Sequence, residues 1–161
     1  MMPGMVEDGV DTLVARFRAH AADVDVTARV EGSPLLECLT EEVVLHLFER
    51  TGPYLVVGGR ARVIVQPETA TLTRLEADDP SPVRSVEVTA VSAIAASGVV
   101  RACEEPFVVV DAGLPLVVAV DTLPADLRVG DRVRFQSRAP LHGFVLPPER
   151  RGAALSTDEQ V

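Results

Sequence analysis

A succession of short strands rich in valine constrains the fold of this chain more than any other feature. From residue 54 onward, apolar and β-branched runs alternate with short turns that contain Gly, Pro or Asp. The predicted strands cover residues 54–57, 60–65, 69–75, 83–94, 99–103, 107–110, 114–120, 132–136 and 143–146. This pattern predicts a β-dominated α+β fold with mostly antiparallel strands.

Two of these strands lack the alternation of apolar and polar residues that is typical of a half-exposed strand. Residues 107–110 and 114–119 are apolar throughout, and such strands are usually covered on both faces. The interior of a small barrel would cover one face. N-terminal helices or a second copy of the chain would cover the other, so the pattern also favours self-association or docking to a protein partner.

The N-terminal part predicts one or two helices, the first at residues 8–22. Its apolar face at helical spacing is formed by Val10, Leu13, Val14, Phe17 and Ala21. A strand is the competing interpretation, because Arg16, Arg18 and His20 alternate with apolar residues. The following residues, 24–30, alternate cleanly and predict a half-buried strand.

A second helix is predicted at residues 34–50. Ser33 and Pro34 suit its N-terminus, and Arg50 and Gly52 suit its C-terminus. The apolar stripe between these ends consists of Leu36, Leu39, Val43 and Leu47. The stretch 43–48 also fits a strand, so both N-terminal segments stay open between helix and strand.

The acidic, proline-rich stretch 76–82 has the composition of an exposed connection. It divides the chain into a helix-plus-strand subdomain at 1–80 and a barrel-like subdomain at 83–146, with one continuous domain as the alternative. The tail at 147–161 has few large apolar residues and is predicted to be flexible.

The segment 83–146 contains a phrase that points to a known kind of barrel. Residues 127–133 read L-R-V-G-D-R-V, which has the form L-x-V-G-D-x-V directly before a strand. In this the segment resembles OB-fold barrels and related small barrels, where such a phrase leads into the fourth strand. The resemblance implies a binding module, often for nucleic acid. The chain departs from it at 121–130, which leave room for only a turn or two of the helix usually found there.

The charge balance argues against a polyanionic partner. The chain has 24 acidic and 15 basic residues and a formal net charge of -9, and this mean field repels DNA unless arginines cluster on one face. Single-strand binders also use aromatic platforms, and only 4% of the residues are aromatic. One alternating stripe, Arg132, Arg134 and Arg138, is either a solvated strand face or an anion contact.

No motif of nucleophilic, metal or dinucleotide chemistry is found in the sequence. The chain has no Lys, which excludes Schiff-base and P-loop lysine chemistry. None of His20, His46 and His142 lies in a metal-binding motif, so no metal site, cofactor or catalytic residue is predicted. His142 is the best candidate for chemistry, with Asp111 or Asp131 to orient its ring.

Cys38 and Cys103 have no CxxC-type spacing, which indicates two free, partly buried thiols, and a single disulfide stays open. The N-terminus has neither the basic start nor the apolar stretch of a signal peptide. No apolar run reaches the roughly 20 residues of a membrane-spanning helix. A cytoplasmic protein without a membrane partner is therefore expected.

These observations favour a non-enzymatic binding or assembly module that acts through protein–protein contacts, with a homo-oligomer as one form of it. The alternative is a small OB-like nucleic-acid-binding module that uses the stripe Arg132, Arg134 and Arg138. The third hypothesis is an enzyme of unknown type centred on His142. These four residues are the predicted binding residues.

Overall fold

A computed structural model describes residues 3–27, 35–41, 43–51 and 59–147, with side chains described from residue 9 onward. The predicted strand at 54–57, the end of the predicted strand at 24–30, the predicted helix caps at Ser33, Pro34 and Gly52, and the tail after residue 147 lie outside these ranges.

Within the described ranges the chain forms one α-helix, α1 (Pro3–Phe17), a short 3₁₀ helix (Arg18–His20) and eleven strands. The strands are β1 (Ala22–Val26), β2 (Leu35–Leu39), β3 (Val44–Glu49), β4 (Gly59–Thr71), β5 (Thr73–Leu75), β6 (Ser85–Ala90), β7 (Ala93–Glu104), β8 (Phe107–Asp111), β9 (Pro115–Thr122), β10 (Arg132–Gln136) and β11 (Arg138–Val145). The predicted β-dominated α+β fold is confirmed.

Five of these strands close a barrel. The hydrogen-bonded order β1-β2-β3-β11-β4 returns to its start because β4 also pairs with β1. The β3–β11 ladder is parallel and the other four ladders of the ring are antiparallel. OB-fold barrels also have five strands, so the resemblance to a small OB-like barrel is confirmed at the level of the fold.

The remaining strands extend the sheet from the second half of β4. Here β4 pairs in parallel with β9, and the order continues through β8, β7 and β10 to β5, with β6 on the free side of β7. Because β5 follows β4 after Leu72 alone, this part of the sheet curls back toward β4. Strands from 1–80 and from 83–146 share one sheet, and the division into two subdomains stays a prediction.

The unbroken apolar strands β8 and β9 are covered on both faces, as predicted. Val108 and Val118 point into the main core, which fills the interior of the sheet. Val109 and Val117 lie on the opposite face, where they are buried in a second cluster with Phe17 of α1. The helix of the same chain therefore covers the second face, and this face offers no argument for a second copy.

The helix confirms the first N-terminal prediction, although it runs over Pro3–Phe17 rather than 8–22. Phe17 is fully buried, and its ring meets the edge of Phe107 with 5.2 Å between centroids. The Arg16 guanidinium lies over both rings and forms an ion pair with Glu104, Nη2 to Oε1 at 2.7 Å. These contacts attach the end of α1 to the β7–β8 hairpin.

The predicted helix at 34–50 is wrong, because β2 and β3 form an antiparallel hairpin instead. Its side chains alternate between the core and the outside: Leu36, Cys38, Leu45 and Leu47 are buried, and their neighbours are half-buried or exposed. The Thr40 N–H donates to the Val43 carbonyl at 3.0 Å and closes the turn. The apolar residues of this segment fit a helical stripe as well as the strand period, in partly different sets, and the ladders with β1 and β11 select the strand.

The predicted single strand at 83–94 is also wrong, because it is divided between β6 and the start of β7. Val91 and Ser92 form the turn between these antiparallel strands. The Ser92 hydroxyl donates to the His46 carbonyl at 2.6 Å and accepts from the Leu141 N–H at 2.9 Å. The turn is thus held against the closed barrel by a buried serine.

Candidate functional site

The predicted arginine stripe does not act as one surface. On β10, Arg132 turns back to the connection before β6 and donates to the carbonyls of Ala77 and Asp79, both at 3.0 Å, and of Ser81, at 2.9 Å. A phosphate ligand would need the same N–H donors. Arg132 therefore holds the connection in place with its Nη1 and Nη2 groups, and its Nε is buried without a hydrogen-bond partner among the described residues.

Arg138, at the start of β11, is neutralised by two carboxylates. Its Nη2 lies 3.2 Å from Asp121 Oδ1, and its Nε lies 3.8 Å from Glu68 Oε1. The hydrogen bond and charge of Asp121, followed by the charge of Glu68, raise the pKa of Arg138 above its usual value. An incoming anion would have to compete with both carboxylates.

Arg134 is exposed, as Arg138 is, but it forms no hydrogen bond or ion pair with the described residues. It lies with Arg138 on the rim of an open groove of about 580 Å³ between the β4–β5 and β10–β11 segments. The groove is lined by small and polar side chains, including Thr71, Thr73 and Gln136. One unpaired cation in such a groove can contact a single anionic group.

His142, on β11, is buried beside charged residues rather than in an open cleft. Its Nδ1 lies 3.2 Å from Arg50 Nη1 and its Nε2 lies 3.5 Å from Glu68 Oε2. Burial lowers the pKa of His142, Glu68 opposes this shift, and Arg50 adds to it. His142 is absent from the residues that line the groove beside Arg134.

The carboxylates expected beside His142 are used elsewhere. Asp111 accepts hydrogen bonds from Arg84 Nε at 3.1 Å and from Arg101 Nη2 at 3.2 Å. Asp131 accepts from the Arg128 N–H at 2.9 Å, in the turn that leads into β10. The arrangement around His142 is a buried histidine between one arginine and one glutamate, and neither of these neighbours is a hydroxyl or thiol nucleophile.

The face of β8 and β9 is also closed to ligands. The resemblance seen in the sequence places the second and third strands of an OB barrel, the usual oligonucleotide-binding face, at β8 and β9, but these strands lie outside the ring of five strands that closes. Here the outward side chains Val109 and Val117 are about 1% exposed or less, because α1 packs over them. An oligonucleotide could reach this face only after α1 had left it.

Strand β6 presents the open edge of the sheet in this part of the molecule. Among the described ladders it pairs with β7 on one side and has no partner on the other. Its ladder is regular from Ser85 to Val88 and shifts register after Val88. The unpaired N–H and C=O groups of such an edge are a template for an added strand.

Exposed apolar side chains concentrate around the same edge. Six large hydrophobic residues of the described chain are exposed, and three of them lie at positions 83–91. Val83 is 41% exposed, Val88 is 42% exposed, and Val91, in the turn after β6, is 68% exposed. Val86, on the same face of β6 as Val88, packs against the core, so the strand joins the core to this apolar surface. We call Val83, Val88, Val91 and the free edge of β6 the β6 edge.

Sequence reasoning missed the β6 edge because residues 83–94 fit one continuous strand. The turn at Val91 and Ser92 contains none of the Gly, Asn, Asp or Pro residues that usually announce a hairpin. The available signal was the length of the run, since twelve residues exceed the usual strand of five or six.

Two further kinds of site are missing from the described part of the chain. No group of three or more His, Cys, Asp or Glu residues there could hold a metal ion. Both cysteines are free, but only Cys38 is buried, and Cys103 is exposed, unlike the partly buried thiol predicted. Burial raises the pKa of Cys38 to about 12, which makes it a core residue rather than a nucleophile. No helix in the described ranges is long and apolar enough to cross a membrane.

Comparison of the chain with protein-family models, with curated proteins and with solved structures gives no match. The assignment of a candidate site therefore rests on the geometry of the molecule.

Proposed function

We propose that the chain is a non-enzymatic binding module that contacts a protein partner through the β6 edge. The observation that carries the proposal is the coincidence of an unpaired strand with Val83, Val88 and Val91, all at least 41% exposed. Strand addition to an exposed edge is a common mode of recognition, in which backbone hydrogen bonds give affinity and side chains give specificity.

The energy available at this edge is that of a modest interface. Burying a whole valine side chain stabilises by about 1.5–3 kcal/mol, so covering the exposed fractions of Val83, Val88 and Val91 contributes about 1 kcal/mol each or somewhat more. Each new backbone hydrogen bond adds about 0.5–1.5 kcal/mol net. Against the cost of association this supports a reversible contact rather than a permanent one.

The alternative of nucleic-acid binding has less support from the contacts. Arg132 is engaged by backbone carbonyls and Arg138 by carboxylates, which leaves Arg134 to meet a phosphate. A single cation on a chain with net charge -9 gives little attraction to a polyanion. This alternative predicts salt-sensitive binding of an oligonucleotide that Arg134→Ala removes.

The hypothesis of an enzyme centred on His142 is supported by a buried imidazole between two charged groups, but His142 does not line the groove beside Arg134. Arg50 and Glu68 lie at the two ring nitrogens, so both are already occupied by protein groups. This hypothesis predicts that His142→Ala removes an activity while the fold is retained.

Charge variants of the β6 edge test the proposal. The chain is immobilised and the proteins that it retains from a cell extract are compared with those retained by Val88→Arg combined with Val91→Arg. Val129→Arg is the matched control, because Val129 is an equally apolar, 62% exposed side chain away from β6. We expect the edge variant to lose a protein that the control keeps. Equal retention by the two variants would contradict the proposal.

A further inference from the structure

The β6 edge also carries information about the chemistry of its partner. We infer that it takes an extended segment in which apolar residues alternate with basic ones, so that the partner is a basic strand rather than a second copy of this chain. The inference rests on the proposed function and adds the partner class to it.

The two faces of β6 differ in chemistry, and this difference determines how apolar and polar residues alternate in a strand that pairs with it. Val86 and Val88 lie on the face that continues the core, and Ser85 and Glu87 lie on the other. Residues directly opposite each other in neighbouring strands have side chains on the same face and within contact distance. An added strand must therefore present apolar side chains opposite the valines and polar side chains opposite Glu87.

Glu87 makes the polar positions selective for positive charge. It is exposed and forms no ion pair or hydrogen bond with the described residues. The nearest arginine in sequence, Arg84, already binds Asp111 with 3.1 Å between Nε and Oδ2. A Lys or Arg opposite Glu87 would thus meet an unpaired carboxylate at the centre of the strand.

The surroundings of β6 carry negative charge, as Glu87 does. The connection that leads to β6 carries Glu76, Asp78 and Asp79. The positive charges of Arg132 and Arg134 act on Asp79, whereas Glu76 and Asp78 form no ion pair with the described residues. The whole chain has a formal net charge of -9. Such a field steers a basic segment to the edge and slows an acidic one.

A second copy fits this edge poorly. Two identical antiparallel strands related by a two-fold axis place one residue opposite itself. An axis at Glu87 opposes two carboxylates, which is destabilising, and an axis at Val86 or Val88 places the two Glu87 carboxylates at diagonal positions about 7–8 Å apart. The like net charges of the two copies add long-range repulsion. An unpaired charge on an edge strand is also a known device against self-pairing.

Three labelled seven-residue peptides test the inference. In each, valine alternates with one other residue: lysine, glutamate or serine. Binding to the full chain is measured by fluorescence anisotropy at low and at high salt. We expect the lysine peptide to bind about tenfold or more tightly than the glutamate peptide, with the serine peptide between them, and the difference to shrink as salt screens the charges.

Two variants locate the effect. Glu87→Gln should weaken the lysine peptide by about two- to fivefold, as expected for one cross-strand charge pair, and leave the serine peptide unchanged. Glu105→Gln, an exposed glutamate in the β7–β8 turn, is the matched control and should change nothing. Equal binding of the lysine and glutamate peptides, or no effect of Glu87→Gln, would overturn the inference.

The outcomes also separate this inference from the proposed function. If the chain self-associates in sedimentation equilibrium and Val88→Arg abolishes this, the edge is used but its occupant is a second copy, so the inference fails and the proposed function stands. The same holds if no peptide binds while the edge variant still loses a retained protein. If the Val88→Arg variant binds the lysine peptide as tightly as the unmodified chain does, both the partner-class inference and the proposed function fail.

Discussion

Replacing Phe17 by alanine tests whether α1 is an integral cover of the sheet. Phe17 is fully buried between α1 and the outward face of β8 and β9. Truncation of a buried Phe costs about 3–5 kcal/mol through lost burial and the cavity left behind. The edge contact with Phe107 at 5.2 Å, worth about 0.5–1.5 kcal/mol, is included in that loss.

The assay is equilibrium unfolding in urea, followed by far-ultraviolet circular dichroism. With a slope of about 2 kcal/mol per molar, a loss of about 4 kcal/mol lowers the midpoint by about 2 M. Asp11→Ala, an exposed position on the same helix, is the control and should change the stability by less than about 0.5 kcal/mol. The reasoning is refuted if Phe17→Ala costs less than about 1 kcal/mol, because α1 would then leave the sheet at little cost.

Three further predictions follow from single contacts. Arg132→Met should destabilise the fold by about 1–3 kcal/mol and speed amide exchange at 76–81. Arg134→Met should change the stability by no more than about 0.5 kcal/mol. Equal effects of the two substitutions would contradict the different roles of the two arginines. Burial lowers the pKa of His142 from 6.5, so the unfolded chain binds more protons than the folded chain near that pH. The free energy of unfolding should therefore fall as the pH drops from about 7 through the lowered pKa. His142→Gln should flatten this dependence in urea titrations at pH 7.5 and 5. A Cβ at Gly98 would clash with the backbone carbonyl oxygen of Asp111 in β8, so Gly98→Ala should destabilise by about 1–3 kcal/mol. Gly9→Ala in α1, where the space is open, should stabilise by about 0.5–1 kcal/mol. A neutral Gly98→Ala in thermal unfolding would contradict the close approach.

The parts of the fold that the sequence predicts are those in which local pattern and burial agree. The unbroken apolar runs of β8 and β9 predicted two covered faces, and both covers exist within the chain. The helical stripe that includes Leu13 and Phe17 predicted α1, whose apolar side packs on the sheet. The phrase at 127–133 predicted a turn before a strand, and Gly130 there has a φ of 97°, a left-handed conformation that glycine adopts without strain.

The hairpin at β2 and β3 shows where local pattern stops being informative. Leu36, Leu39, Val43 and Leu47 fit a helical stripe, and the strand period buries a partly different set, Leu36, Cys38, Leu45 and Leu47. The choice is made by pairing with β1 and with β11, and the β3–β11 ladder joins residues about ninety positions apart. Such non-local pairing leaves no trace in a short window of sequence.

The candidate site was less predictable still, because its properties depend on which groups remain unpaired. Arg132 and Arg134 occupy equivalent alternating positions in the sequence of β10. The connection at 76–81 nevertheless folds back over Arg132 and accepts hydrogen bonds from it, and not from Arg134. Ser92 holds the turn after β6 against β3 and β11 through a carbonyl and an amide group of these strands. These partners lie about fifty residues away in sequence.

Amide hydrogen exchange across β6 tests the central claim most directly. The exchange of residues 85–90 is measured by mass spectrometry in the free chain and in the presence of the lysine–valine peptide or the retained partner. We expect binding to slow exchange in β6 and to leave exchange in β8, β9 and the groove beside Arg134 unchanged. Slower exchange at β8 and β9 or at the Arg134 groove, with β6 unchanged, would contradict this expectation.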